Sequence, residues 1–304
     1  MALHLKLVPA FEGSEADTTK DTTIEKPKSV FSTLKSKFIK QKKKPVVFSM
    51  WTEDKLFPIL NDFLQPDTTR SLDETFKAIM DLLPQSTSVD TDVWAAGTVI
   101  LELAEQIPYS HPSQLKLARL VDTLSLTDRF NYRPDERGVR YRCTRLGDAM
   151  CDAFDGPNPD IPNEWPNLSA FYAHLEACHI HPYRPSSAIQ TLRSAFEERM
   201  EDEEDYFQGM KDQSILAAAQ YILWSGNELF KAVSYAGDVE ESDQGAWHPG
   251  PLYDGDWTLN LQRWRFWKGG FEAAVQDESL GEEARDVADR AAKLMGVFES
   301  TLVF

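Results

Sequence analysis

The stretch from Asp90 to Leu124, DTDVWAAGTVILELAEQIPYSHPSQLKLARLVDTL, constrains the fold of this chain more than any other. Val93, Ala96, Ile100, Leu103 and Ile107 recur at spacings of three and four, which is one face of a helix. Trp94, Val99 and Leu101 add a second apolar side, and a helix apolar around most of its circumference is buried on most of it. Asp90 or Asp92 suits the N-cap, because a short carboxylate accepts from the free N–H groups of a first turn. Pro108 ends the helix, since proline lacks a donor and clashes with the preceding turn. Pro112 suits the first turn of the next one, whose stripe is Leu117, Leu120, Val121 and Leu124. So short a link predicts an antiparallel helical hairpin at the organising centre of the fold.

The same periodicity continues on both sides. Thr52 is placed to cap a helix running to Leu64, with Pro58 inside it as a source of kinking. Ser71 and Glu74 have the spacing of a capping box, followed by the stripe Phe76, Ile79, Met80 and Leu83. Further helices are expected over Leu146–Phe154, Leu168–Cys178 and from Ser187 to about Tyr206. A long helix carries Ile215, Ala219, Ile222, Gly226, Leu229 and Val233 on one face, with Gly226 allowing close approach of a neighbour. Thr258 is expected to cap a helix with the stripe Trp264, Trp267, Phe271 and Ala274, and Ala284, Ala288, Ala291, Met295 and Phe298 mark the last. Strand signals are nearly absent apart from Val139–Cys143. The expectation is therefore all-α, an irregular bundle of about ten helices forming a single domain over 48–304.

Residues 1–47 read differently. Glu12–Lys28 is polar and lacks the apolar content to order itself, and Lys26–Lys44 carries eight lysines and no acid. The expectation is a disordered basic arm outside the fold. Its KQKKKP run also fits a nuclear address, and Phe31, Leu34 and Phe38 fit one side of a basic helix contacting an anionic membrane or a partner. The net charge of −17 argues against nucleic-acid binding by the folded domain, which needs an excess of Lys and Arg. Three cysteines, Cys143, Cys151 and Cys178, fit a reducing compartment, and no apolar run is long enough to span a membrane. The reading is a soluble cytoplasmic protein, with the nucleus as a second compartment.

Several constellations bear on chemistry. Arg140, Arg142 and Arg145 end an arginine-rich segment interleaved with Tyr132 and Tyr141, a pattern that suits phosphate or carboxylate ligands. Trp264 and Trp267, beside Arg263 and Arg265, suit an aromatic binding wall. These five residues, Arg140, Arg142, Arg145, Trp264 and Trp267, are the candidate ligand-binding set. The plainer readings are arginines paired with the acidic surface, and tryptophans facing inward with arginines flanking outward. His174, Cys178, His179 and His181 match no zinc spacing and read as a helix end, so no metal site is expected. Glu201–Asp205 resembles one acidic motif of helical terpene cyclases without its second motif, and reads as a solvated face. No phosphate loop, nucleophile elbow or Cys–His pair is present, and no cofactor is implied.

The segments DVW…ILELAEQIPYSHPSQLKLARLVDTL at 92–124, EWPNLSAFYAHLEA at 164–177, AIQTLRSAFEE at 188–198, ILAAAQYILWSGNELF at 215–230 and LNLQRWRFWKGGFEAA at 259–274 resemble a filamentous-fungal family, "domain of unknown function 3632". The resemblance implies a fungal, helical, intracellular protein and transfers no catalytic residue. With each catalytic signature absent or partial, the expected function is a non-catalytic interaction or accessory protein. Its ligand would be a protein partner or a small molecule. The alternative is an enzyme acting on a hydrophobic or anionic small molecule, of the secondary-metabolism type.

Overall fold

The structure, a computed structural model, describes residues 2–7, 50–82, 90–131, 149–150, 153–180, 185–234, 247–256 and 258–301. Arg140, Arg142, Arg145, most of the basic arm and most of the helix expected over 146–154 lie outside these residues. Among the described residues there are nine α-helices and no strand: α1 (Met50–Leu64), α2 (Leu72–Leu82), α3 (Asp90–Gln106), α4 (Ser113–Leu124), α5 (Glu164–Ala177), α6 (Ser186–Phe196), α7 (Met210–Ser234), α8 (Leu261–Gln276) and α9 (Glu282–Ser300). A 3-10 turn, Met200–Asp202, follows α6. None of these helices is long and apolar enough to cross a membrane.

Helix ends follow local chemistry. The capping box forms at α2: the Ser71 N–H and Oγ–H both donate to Glu74 Oε2, at 2.8 and 2.9 Å, and the Glu74 N–H donates back to Ser71 Oγ at 3.2 Å. Pro58 sits inside α1. At α8 the cap is Asn260, whose Oδ1 accepts from the Arg263 N–H at 2.9 Å. Thr258, the residue expected there, instead accepts from the Asn260 side chain at 3.1 Å. The Asx cap is two residues further on because Asn260 is the last residue with extended backbone. Similarly, α6 stops at Phe196 rather than near Tyr206: the Glu197 N–H still donates to Arg193 O, but the Glu197 carbonyl accepts from the Leu252 N–H of the loop, at 2.9 Å, in place of a next helical turn.

The central pair is α5 and α7, which share the most extensive contact among the described helices. Helices α3 and α4 each lie on α5, whereas they touch one another only slightly. The short link thus reverses the chain without making a packed hairpin, because both apolar stripes are satisfied by the same third helix. Helix α1 packs on α2 and α3, while α6, α8 and α9 gather on or beside α7. Gly226 lets α9 approach α7: a Cβ there would lie 2.9 Å from the Phe298 ring.

Carbonyls at two helix ends are capped by side chains from other helices. Ser113 Oγ donates to Leu64 O at 2.6 Å and Lys116 Nζ to Phe63 O at 2.6 Å, closing α1 from the first turn of α4. Gln114 Nε2 donates to Ile107 O at 2.7 Å and Ala104 O at 3.0 Å, closing α3. Asn167 of α5 completes the joint, donating to Glu105 O at 2.7 Å and accepting from the Tyr109 N–H at 2.8 Å. Orphan carbonyls at a buried helix end need such partners.

Candidate functional site

Trp264 and Trp267 are fully buried, and so is Arg263, which the sequence places on the outside. Arg263, Trp264 and Trp267 stand at i, i+1 and i+4 of α8 and so share one broad face, which the end of α6 and the loop over 247–256 close at Arg263. Glu197 is the reason. Its Oε1 accepts from Arg263 Nε at 2.7 Å and Trp267 Nε1 at 2.7 Å. Its Oε2 accepts from Arg263 Nη2 at 3.0 Å and the Gly250 N–H at 2.9 Å. Arg263 Nη1 donates to Trp247 O at 2.6 Å, and its guanidinium lies over the Tyr253 and Trp267 rings. Gly250 is required by this approach, since a Cβ would come within 2.4 Å of Glu197 O. The aromatic wall is therefore not a lining. One enclosed acid is matched to one enclosed base, with Trp264 packed between Phe230 and Phe298. The cluster staples the 247–256 loop to α6 and α8. Arg265, by contrast, is exposed and pairs with Glu299 at 2.9 Å.

The other constellations remain dispersed. His174 is buried on α5 against the Trp224 ring, at 4.6 Å between centroids, and burial lowers its pKa to about 4. Cys178 caps α5, His179 projects outward and His181 lies outside the described residues. Among the described residues no group of three or more potential ligands could hold a metal. Glu201 and Asp205 are exposed on the 3-10 turn and the bend after it. A shallow depression of about 400 Å³ lies between α8 and α9, where Lys268 and Lys293 are each engaged by a carboxylate of their own helix.

The distinctive surface feature was not anticipated. Residues 2–7, expected to lie outside the fold with the rest of the arm, rest against the helical body, and their burial alternates with the period of an extended chain. Leu3, Leu5 and Leu7 are half-buried against the core, while Ala2, His4 and Lys6 are exposed. Two glutamine amides hold the main chain. Gln65 Oε1 accepts from the Leu3 N–H at 3.0 Å and its Nε2 donates to Leu3 O at 3.2 Å. Gln106 Oε1 accepts from the Lys6 N–H at 2.8 Å and its Nε2 donates to Lys6 O at 2.8 Å. In an extended chain the N–H and C=O of one residue point to the same edge, and successive residues alternate edges. Positions three apart therefore present opposite edges, so the two glutamines grip the segment from both sides.

Both glutamines are held in place. Gln65 follows α1 directly, its amide donates to Asn61 Oδ1 at 3.1 Å, and its carbonyl accepts from Lys116 Nζ at 3.2 Å. Gln106 ends α3 and donates to Glu102 O at 2.9 Å. The cross-helix caps that close α1 and α3 thus also fix the two readers of the segment.

Among the described residues the fold is helical throughout its body, and that body holds residues 2–7 of its own chain by main-chain hydrogen bonds to Gln65 and Gln106. The family model described as "Protein of unknown function (DUF3632)" matches residues 98–271, more than half of the chain, and the chain belongs to that family. The match spans α3 to α8 and includes Gln106; Gln65 and the bound segment precede it. No curated protein and no solved structure matches the chain.

Proposed function

We propose that this protein is a non-catalytic interaction protein whose helical body holds extended polypeptide across the ends of α1 and α3. The observation that carries the reading is the grip of Gln65 and Gln106 on the N–H and C=O groups of Leu3 and Lys6. Main-chain hydrogen bonds supply affinity in such a mode, and alternate side chains supply specificity. The fully partnered state of Glu197 and Arg263 supports it too, since those groups are committed to packing. The sparse cysteines and the family resemblance support a cytoplasmic, fungal setting, and the basic run near Lys42–Lys44 a nuclear address.

Amide hydrogen exchange on the full chain tests this. The Leu3 and Lys6 amides should exchange at least tenfold more slowly than in an unfolded peptide. The double change Gln65→Ala/Gln106→Ala should abolish that protection while moving the melting temperature little, because each glutamine is only half-buried. Unprotected Leu3 and Lys6 amides in the unaltered protein would refute the proposal.

A further inference from the structure

We infer that the slot between Gln65 and Gln106 is a receptor for a Leu-x-Leu-x-Leu segment of another polypeptide, and that residues 2–7 are its tethered competitor. The inference rests on the proposed function and specifies its partner.

Three features point beyond a structural tether. First, recognition is divided as a receptor divides it. The glutamines read only backbone, and Leu3, Leu5 and Leu7 alone turn inward, so the slot requires an extended chain with leucine at alternate positions and leaves the intervening residues free. Second, the readers are arranged independently of the occupant, by Asn61, Lys116 and Glu102 and by the caps on α1 and α3. A site held ready does not have to spend binding energy on ordering itself. Third, the occupant is only half-buried in the slot, and 42 residues of sequence separate it from the start of α1. A covalently attached segment competes as an intramolecular ligand, which excludes weak peptides and yields to a well-matched one.

The test uses the full chain carrying Leu3→Asp, Leu5→Asp and Leu7→Asp, which cannot place its own segment in the slot. The probe is a fluorescein-labelled peptide with the sequence of residues 1–8, followed by fluorescence anisotropy. The expected result is saturable binding to the altered chain, at least tenfold tighter than to the unaltered chain. Adding Gln65→Ala and Gln106→Ala should weaken binding tenfold or more, and a peptide of the same composition with its leucines made adjacent should not bind. If the triple change unfolds the chain, Leu5→Asp alone serves, read by the same comparison. No binding to the emptied chain, or binding indifferent to the two glutamines, overturns the inference. Should either outcome occur while Leu3 and Lys6 remain protected from exchange in the unaltered protein, residues 2–7 are a tether and the proposed function stands. Loss of that protection removes both.

Discussion

Arg263 and Glu197 form a bidentate ion pair with no access to solvent. Pairs of this kind add little net stability over an apolar replacement, yet removing one partner strands a buried charge and costs about 3–5 kcal/mol. Arg263→Met should therefore lower stability by about that amount in urea denaturation, and Arg263→Met/Glu197→Gln should recover part of it. A loss below about 1 kcal/mol for the single change would show that the pair is not closed to water. Arg263→Lys should resemble Arg263→Met more than the unaltered chain, because an ammonium cannot reproduce the two parallel bonds and the ring contact. Periodicity alone places Trp264, Trp267 and Phe271 inward, and all three are buried. Hydropathy puts Arg263 outside, although it shares the stripe of Trp267 and Phe271, because hydropathy carries no information about a matching acid, here 66 positions earlier in the chain. Leu3, Leu5 and Leu7 are different: their period of two is visible in the sequence and signals an extended segment with one buried face.

Helix α5 shows what an element's own composition leaves open. Every residue from Trp165 to Glu176 is buried, including Asn167, Ser169, His174 and Glu176, so no single face is apolar. Such a helix is defined by what surrounds it, and here α3, α4 and α7 do so. The polar groups are consumed at joints. Ser225 donates to the Glu176 carboxylate at 3.1 Å, and Asn167 ties α5 to the end of α3. Asn167→Ala orphans both the Glu105 carbonyl and the Tyr109 N–H, each worth on the order of 1–3 kcal/mol when left unmade. The expected outcome is a destabilisation in that range or above it, with faster amide exchange at Tyr109. An unchanged exchange rate there would mean that another donor or water replaces the asparagine. Helix boundaries set by local caps, as at Ser71 and Glu74, were readable beforehand. That α3 and α4 pack on α5 rather than on each other was not, because a short link fixes only proximity of ends and not the partner of each face.

At the scale of the whole molecule, two titrating groups, the buried His174 and the half-buried Glu105, bias stability in opposite directions. Burial and the Glu164 carboxyl, which shares a hydrogen bond with it, raise Glu105 from 4.5 to about 8, with Glu102 and Asp155 adding to the effect. The folded chain keeps that proton after the unfolded chain has lost it. Stability from Glu105 is thus complete below about pH 4.5 and is lost as pH rises through about 8. Burial lowers His174 from 6.5 to about 4, so its contribution is present above pH 6.5 and is lost as pH falls toward 4. Between pH 6.5 and 8 only the Glu105 slope operates of these two, and Glu105→Gln should abolish it. The melting temperature of that variant at pH 8.5 should exceed that of the unaltered chain, by about 2–4 °C for each kcal/mol recovered. Parallel melting curves across pH 5–9 for the two proteins would show that Glu105 ionises normally in the fold. The sequence by itself determined the class of fold, the membership of the family and most of the helices, because apolar period and capping chemistry act within a few residues. Only the tertiary structure decided that α5 and α7 form the centre, that Arg263 is inside and that residues 2–7 lie in a slot. Each of those depends on a partner dozens of residues away, and no local pattern carries the identity of such a partner.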